Sequence, residues 1–241
     1  MAASTDAAHR PQFYGDFLKS EILVIQHGVP AAAPQRITIA AGEKLALMTW
    51  EKEGRRLIPI FSSLERLQSF AKKPETYLAM NAEALLRITA GADLLLNPGS
   101  TYGKEFTAGE IARLLDGSIG RPTETWVANK PTQVLLAQPA KYPHALANAL
   151  RRYFEQTPEV TRAYLAYFHN SGQDAKPHTL IAIEMTGDWD RVVSGAGIVA
   201  AGIEIPDPPI DVMRLVETED FGGYFGKSVG PFYEKTPPRP I

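Results

Sequence analysis

The chain contains no cysteine. Disulfide staples, thiol nucleophiles, cysteine-based zinc sites and iron–sulfur clusters are therefore excluded. No apolar run reaches the ~18 residues that a membrane-spanning helix needs. The opening MAASTDAAHRP lacks an apolar core region, so it does not read as a signal peptide; it reads as a frayed end. Neither sign of charge dominates: 25 Lys+Arg stand against 27 Asp+Glu, a formal charge of −2. Residues 1–130 carry 15 basic and 14 acidic groups, and residues 131–241 carry 10 and 13, so neither half is a basic arm or an acidic tail. Nucleic acid and membrane are thus not expected partners. A G-x-S-x-G elbow is also missing, so no serine is marked as activated and no catalytic residue is nominated.

What is there suits an α+β protein of two small domains. The 241 residues are 44% hydrophobic, enough to build cores without staples. Gln12–Leu18 reads as the end of a short helix, and Glu21–Gln26 as a buried strand. Leu45–Trp50 and Arg56–Phe61 flank Glu51–Gly54 and predict a hairpin. Ala31–Pro34 reads as a loop. Ser62 with Glu65 three residues later has the form of a capping box for a helix bearing Leu64, Leu67 and Phe70. Tyr77–Met80 is a short strand, after which Asn81 caps a helix with Leu85, Leu86 and Ile88. Asp93–Leu96 is another strand. Thr107 and Glu110 open a helix bearing Ile111, Leu114 and Leu115. Domain boundaries are expected at 9–122 and 132–235, joined by a polar linker at 123–131.

The second half predicts a strand over 132–137, then an amphipathic helix. Leu146, Leu150, Tyr153 and Phe154 recur at i, i+4, i+7 and i+8, with Pro143 in the first turn. Strands follow at 160–168 and 179–185, a helix at 188–201, and a strand at 210–216. The order β-α-β-β-α-β predicts a ferredoxin-like domain.

Three features invite chemical readings. The stretch Asn97-Pro-Gly99-Ser100-Thr101-Tyr-Gly103-Lys104-Glu105 has the layout of a phosphate loop. A Walker A loop, however, needs four residues between its glycines and a hydroxyl after its lysine. Three residues intervene here, and Glu105 occupies the hydroxyl position. A Pro-Gly turn explains the pattern. What survives is a weak anion or carboxylate site, with Asn97, Gly99, Ser100, Thr101 and Lys104 as candidate ligand residues. Gly195-Ala-Gly197-Ile-Val-Ala200 fits a dinucleotide fingerprint, but the strand order around it does not. Small residues packing a helix onto a sheet explain it better. His169, Asp174 and His178 bracket a polar loop and form a weak candidate metal set; surface strand-end residues are the alternative. No cofactor is implied. The aromatic tail is expected to pack onto the second domain. The alternative is a partner surface made by Phe221, Tyr224, Phe225, Phe232 and Tyr233.

Residues 13–235 resemble the SseB (enhanced serine sensitivity) family. In the first half the likeness rests on Leu94–Ser100 followed by a capped helix, on Ile58–Phe61 before a helix, and on Tyr77 and Leu85. In the second it rests on Val160–Leu165, Ile181–Glu184 and Gly230–Lys235. The resemblance implies two α+β domains in a bacterial, cytoplasmic protein. It supplies no catalytic residues. The expectation is a non-enzymatic adaptor or regulator that binds an unidentified protein partner. A sensor of an amino acid or other small carboxylate is the alternative, and a hydrolase or transferase with a spatially assembled site the second.

Overall fold

The computed structural model describes residues 2–28, 44–121, 133–172, 174–215 and 220–236. The expected loop at 31–34 and linker at 123–131 lie outside them. The chain divides into two compact units, residues 12–119 and residues 2–11 with 120–241.

The start of the chain is ordered. Helix α1 (Ala2–Thr5) leads to a 3-10 turn (Ala7–His9), where the Asp6 side chain accepts from Ala8 N–H at 3.0 Å. Arg152 bonds the same carboxylate at 2.7 Å, holding it below the usual carboxylate range. Ala8 is buried in the core of the second unit. The expectation of a frayed end is therefore corrected: a capped turn and one buried methyl anchor it.

The first unit continues from α2 (Arg10–Lys19) with β1 (Glu21–Ile25), β2 (Trp50–Lys52), β3 (Arg55–Phe61), α3 (Leu64–Ala71), β4 (Tyr77–Asn81), α4 (Ala82–Ile88), β5 (Asp93–Leu96), β6 (Lys104–Phe106) and α5 (Ala108–Leu115). The sheet order is β4-β1-β3-β5-β6, with β2 also on β3. Only β3 and β5 run parallel. Side chains alternate across a strand. One face therefore carries Ile58, Ile60, Leu94, Leu96 and Phe106 against α2, α4 and α5. The other carries Leu23, Ile25 and Phe61 against Leu67 and Phe70 of α3. Phe17 stacks on Phe106 with ring centroids 4.8 Å apart.

Two local expectations shift. The hairpin turn is Glu53-Gly54, both with positive φ (53° and 74°), so Lys52 pairs directly with Arg55. The two-residue turn fixes the register, and the first hairpin strand starts at Trp50 rather than Leu45, because residues 46–48 bond to the end of β1 at Ile25–His27 instead. The cap of α3 is Ser63, whose hydroxyl accepts from Arg66 N–H. Ser62 is engaged elsewhere, with Asn97. Asn81 and Thr107 cap α4 and α5 as expected.

The second unit contains β7 (Leu135–Ala137), α6 (His144–Glu155), β8 (Val160–His169), β9 (His178–Met185), α7 (Trp189–Ala200), β10 (Ile210–Arg214), α8 (Asp220–Lys227) and β11 (Tyr233–Glu234). The β-α-β-β-α-β order is present, but the sheet differs from the ferredoxin-like one. That fold sets its first strand beside its third. Here β7 pairs antiparallel with β8, and the order is β10-β9-β8-β11. Helix α7 carries the chain from β9 to its parallel neighbour β10, one βαβ crossover. The ten-residue β8 takes both β11 and β7 on its remaining edge.

Gly195 and Gly197 lie inside α7, and their neighbours explain them. A Cβ on Gly197 would sit 1.9 Å from the Gly120 carbonyl, and one on Gly195 would sit 1.9 Å from the Tyr153 hydroxyl. The dinucleotide-like fingerprint is a packing stripe.

Candidate functional site

The parallel strands β3 and β5 end side by side, and the crevice beyond such carboxyl ends is the usual ligand position in open sheets. Here the chain leaves β3 through Ser62-Ser63 and leaves β5 through Asn97. Asn97 adopts φ 51°, a left-handed conformation that Asn tolerates better than most residues. Its Oδ1 accepts from Ser62 N–H at 2.9 Å, and its Nδ2 donates to Ser62 Oγ at 3.0 Å. The two strand ends are thereby latched together. Asn97 N–H donates to Ile60 O, and Ser100 N–H donates to Asn97 O, closing the Pro98-Gly99 turn.

Beside this latch runs an open groove of about 310 Å³. Leu95, Asn97 and Pro98 line its inner part, Trp50 and Lys52 of β2 one wall, and Gly99–Thr101, Gly103 and Glu105 the other. Trp50 is 37% exposed and leans edge-on against Phe70, ring centroids 5.8 Å apart. Glu105 ion-pairs with Arg55 and, at 3.5 Å, with Lys52. That carboxylate holds the Arg55 guanidinium above its ordinary pKa. Gly103 lacks a side chain for a local reason: a Cβ there would crowd the carbonyls of Leu96 and Asn97, both at 3.1 Å.

The loop residues proposed from sequence do not act as one set. Gly99, Ser100 and Thr101 line the groove, and Asn97 is buried as a latch. Lys104 does not join them. It pairs with Leu96 in register, one strand position from Glu105, so it projects to the other side of the sheet. There it ion-pairs with Glu110 at 2.8 Å and lies 4.8 Å from the Phe106 ring centroid. Glu110 also accepts from the Tyr14 hydroxyl. The cation beside Ser100 is instead Arg66, from the first turn of α3, whose Nη1 donates to Ser100 Oγ. Sequence reasoning missed it because α3 reaches the loop only through the β3–β5 pairing.

Residues 1–113 match the family described as SseB protein N-terminal domain, and residues 128–235 match SseB protein C-terminal domain. The chain belongs to the SseB family. Among curated relatives, Protein SseB of Escherichia coli (strain K12) is 32% identical over 236 residues, covering 97% of this chain and 89% of the relative. Protein SseB of Shigella flexneri gives the same figures. No solved structure matches significantly.

Within this SseB chain the tail aromatics are mostly interior. Phe225 is fully buried 5.4 Å from the Tyr164 ring, while Phe232 and Tyr233 pack on Phe154. Tyr224, in contact with Phe225, is partly buried, and the side chain of Phe221 lies outside the described residues. Phe225, Phe232 and Tyr233 are thus core residues, and the partner-surface reading is corrected for them. Tyr233 is held by strand pairing of β11 to β8, and Phe232 N–H donates to Ala163 O.

The histidines also separate. His178 is buried, with Nε2 2.8 Å from Asp211 Oδ2 and Nδ1 3.9 Å from Asp174 Oδ2. His169 Nε2 meets the Asp174 backbone carbonyl at 3.3 Å instead. The Asp174 carboxylate accepts from Asn170 N–H at 2.6 Å, which fixes the loop. Among the described residues no group of three or more His, Cys, Asp or Glu is placed to hold a metal ion. The arrangement closes a turn. No helix among the described residues is long and apolar enough to cross a membrane.

Proposed function

We propose that this SseB-family chain is a non-enzymatic adaptor that binds a protein partner through the groove of its first unit. The observation that carries this reading is the groove's lining. An exposed Trp50 and a Pro-Gly-Ser-Thr turn line it together with a buried Leu95 and with Glu105, which ion-pairs with Arg55. Tyr102, between the lining residues Thr101 and Gly103 but not itself in the lining, is 37% exposed. Trp, Tyr and Arg are the residues that dominate binding energy in protein interfaces, with polar groups around an apolar centre. The groove is open and its Arg55–Glu105 pair is already satisfied, which suits an extended protein surface better than an enclosed substrate.

The test uses the full chain as bait in lysate of its native cell, beside Trp50→Ala and Tyr102→Ala. A protein captured by the wild type, lost on both variants and rebinding as a purified protein supports the proposal. Equal capture by all three folded baits overturns it.

A further inference from the structure

We infer that the partner's anchor is an acidic segment, whose carboxylate docks on Arg66 and Ser100 while an apolar neighbour covers Leu95 beside Trp50. This inference rests on the groove being a protein-binding site.

The argument is a hydrogen-bond account. A serine hydroxyl has two acceptor lone pairs and one donor. At Ser100 both acceptor positions are taken, by Arg66 Nη1–H and by Tyr102 N–H at 3.3 Å. Among the described residues its own O–H has no acceptor, so it is left for solvent or a ligand. Arg66 makes the same demand. A guanidinium offers five N–H donors and accepts nothing. Among the described residues its bond goes to the neutral Ser100 hydroxyl, and it forms no ion pair with a carboxylate. The groove's own cation, Lys52, differs in this respect, since it and Arg55 share Glu105. A serine donor that lines the groove and the guanidinium bonded to it thus sit together, without a carboxylate partner among the described residues, and both can bond a negatively charged oxygen. A carboxylate suits them, because guanidinium and carboxylate bond in fork geometry. The neighbouring Trp50, Leu95 and Pro98 surface requires an apolar group beside that carboxylate. Asp or Glu next to a bulky apolar residue, on one segment, supplies both.

The position is also rigid. Ser100 sits in a turn closed by its own N–H on Asn97 O, and Arg66 rises from a helix capped by Ser63. On the protein's side this leaves little ordering to oppose binding.

The experiment measures binding of short fluorescent peptides to the full chain by anisotropy. One peptide set carries Leu or Phe flanked by Asp or Glu, and the other has Asn or Gln in place of the acids. Acidic peptides are expected to bind about tenfold tighter than their amide twins. Arg66→Gln removes that preference, and Ser100→Ala reduces it. Trp50→Ala weakens both sets together and leaves the ratio intact. Thermal melts confirm that each variant folds. Equal binding of acidic and amide peptides overturns the inference, and so does an acid preference that survives Arg66→Gln. Free serine, acetate or succinate binding as tightly as the peptides, and only with Arg66 present, also overturns it in favour of a small-carboxylate site. The two levels separate in the lysate experiment. A partner lost on Trp50→Ala but kept on Arg66→Gln preserves the adaptor reading and removes the acidic anchor. A partner kept on both removes both.

Discussion

Asn97 holds Ser62 at two points, its carbonyl on the Ser62 backbone N–H and its amide on the Ser62 hydroxyl. This pair ties the ends of the two parallel strands and shapes the groove above them. Asn97→Ala removes both bonds from a buried position and leaves a non-Gly residue at positive φ. We expect a loss of about 2–4 kcal/mol in urea unfolding. Asn97→Gly keeps the backbone permissive and should lose less than Asn97→Ala. Equal losses would mean that side-chain bonds alone carry the effect.

Gly197→Ala tests the packing stripe in α7. Its Cβ would meet the Gly120 carbonyl, so we expect a cost of about 1–3 kcal/mol or more. Gly109→Ala, in α5 with nothing near its Cβ, is the contrast. Helix propensity alone then acts, and stability should rise by up to about 1 kcal/mol. Melting curves of the two variants should move in opposite directions.

Lys104→Ala should cost about 0.5–2 kcal/mol, through the lost Glu110 pair and the contact with Phe106. Because this side chain faces away from the groove, peptide or partner binding should be unchanged. Calorimetry alongside a melt separates the two. A binding defect in a stable Lys104→Ala protein would contradict the strand parity.

Burial, followed by a hydrogen bond to Glu184, pushes the Tyr164 hydroxyl up to about 12. Below about pH 10 the folded and unfolded chains both keep this proton. Above it the unfolded chain has released the proton while the folded chain retains it, so stability falls as pH rises through the window up to about 12. Tyr164→Phe should flatten this fall, as read from urea midpoints across alkaline pH. Tyr142, Tyr153, Tyr167 and Tyr233 are also raised, so a smaller slope should remain.

Long periodic segments were readable in advance because burial imposes their spacing. Leu146, Leu150, Tyr153 and Phe154 all lie in the core, as the helical period required. Two caps, Asn81 and Thr107, were legible because capping is local chemistry. Strand β6 and strand β11 were not, since three and two residues carry no period and exist only by pairing with β5 and β8. The ferredoxin-like sheet failed for a related reason: element order does not state which strand lies beside which. At the groove, the Pro-Gly turn was visible in sequence. The charge at its side was misassigned, because strand parity turned Lys104 away and a helix from distant sequence supplied Arg66.

The Asp6–Arg152 pair spans 146 positions of sequence, and it places the chain's opening residues in the unit whose other members come after residue 119. On the ribosome, where synthesis runs from the N-terminus, residues 12–119 are all translated before α6 exists to receive Ala8. The ten residues at 2–11 emerge early and find their partners late. A fragment beginning at residue 120 would leave the ribosome without one of its own core pieces, so separate expression of that half should yield a protein that gains stability when a peptide of residues 2–11 is added back.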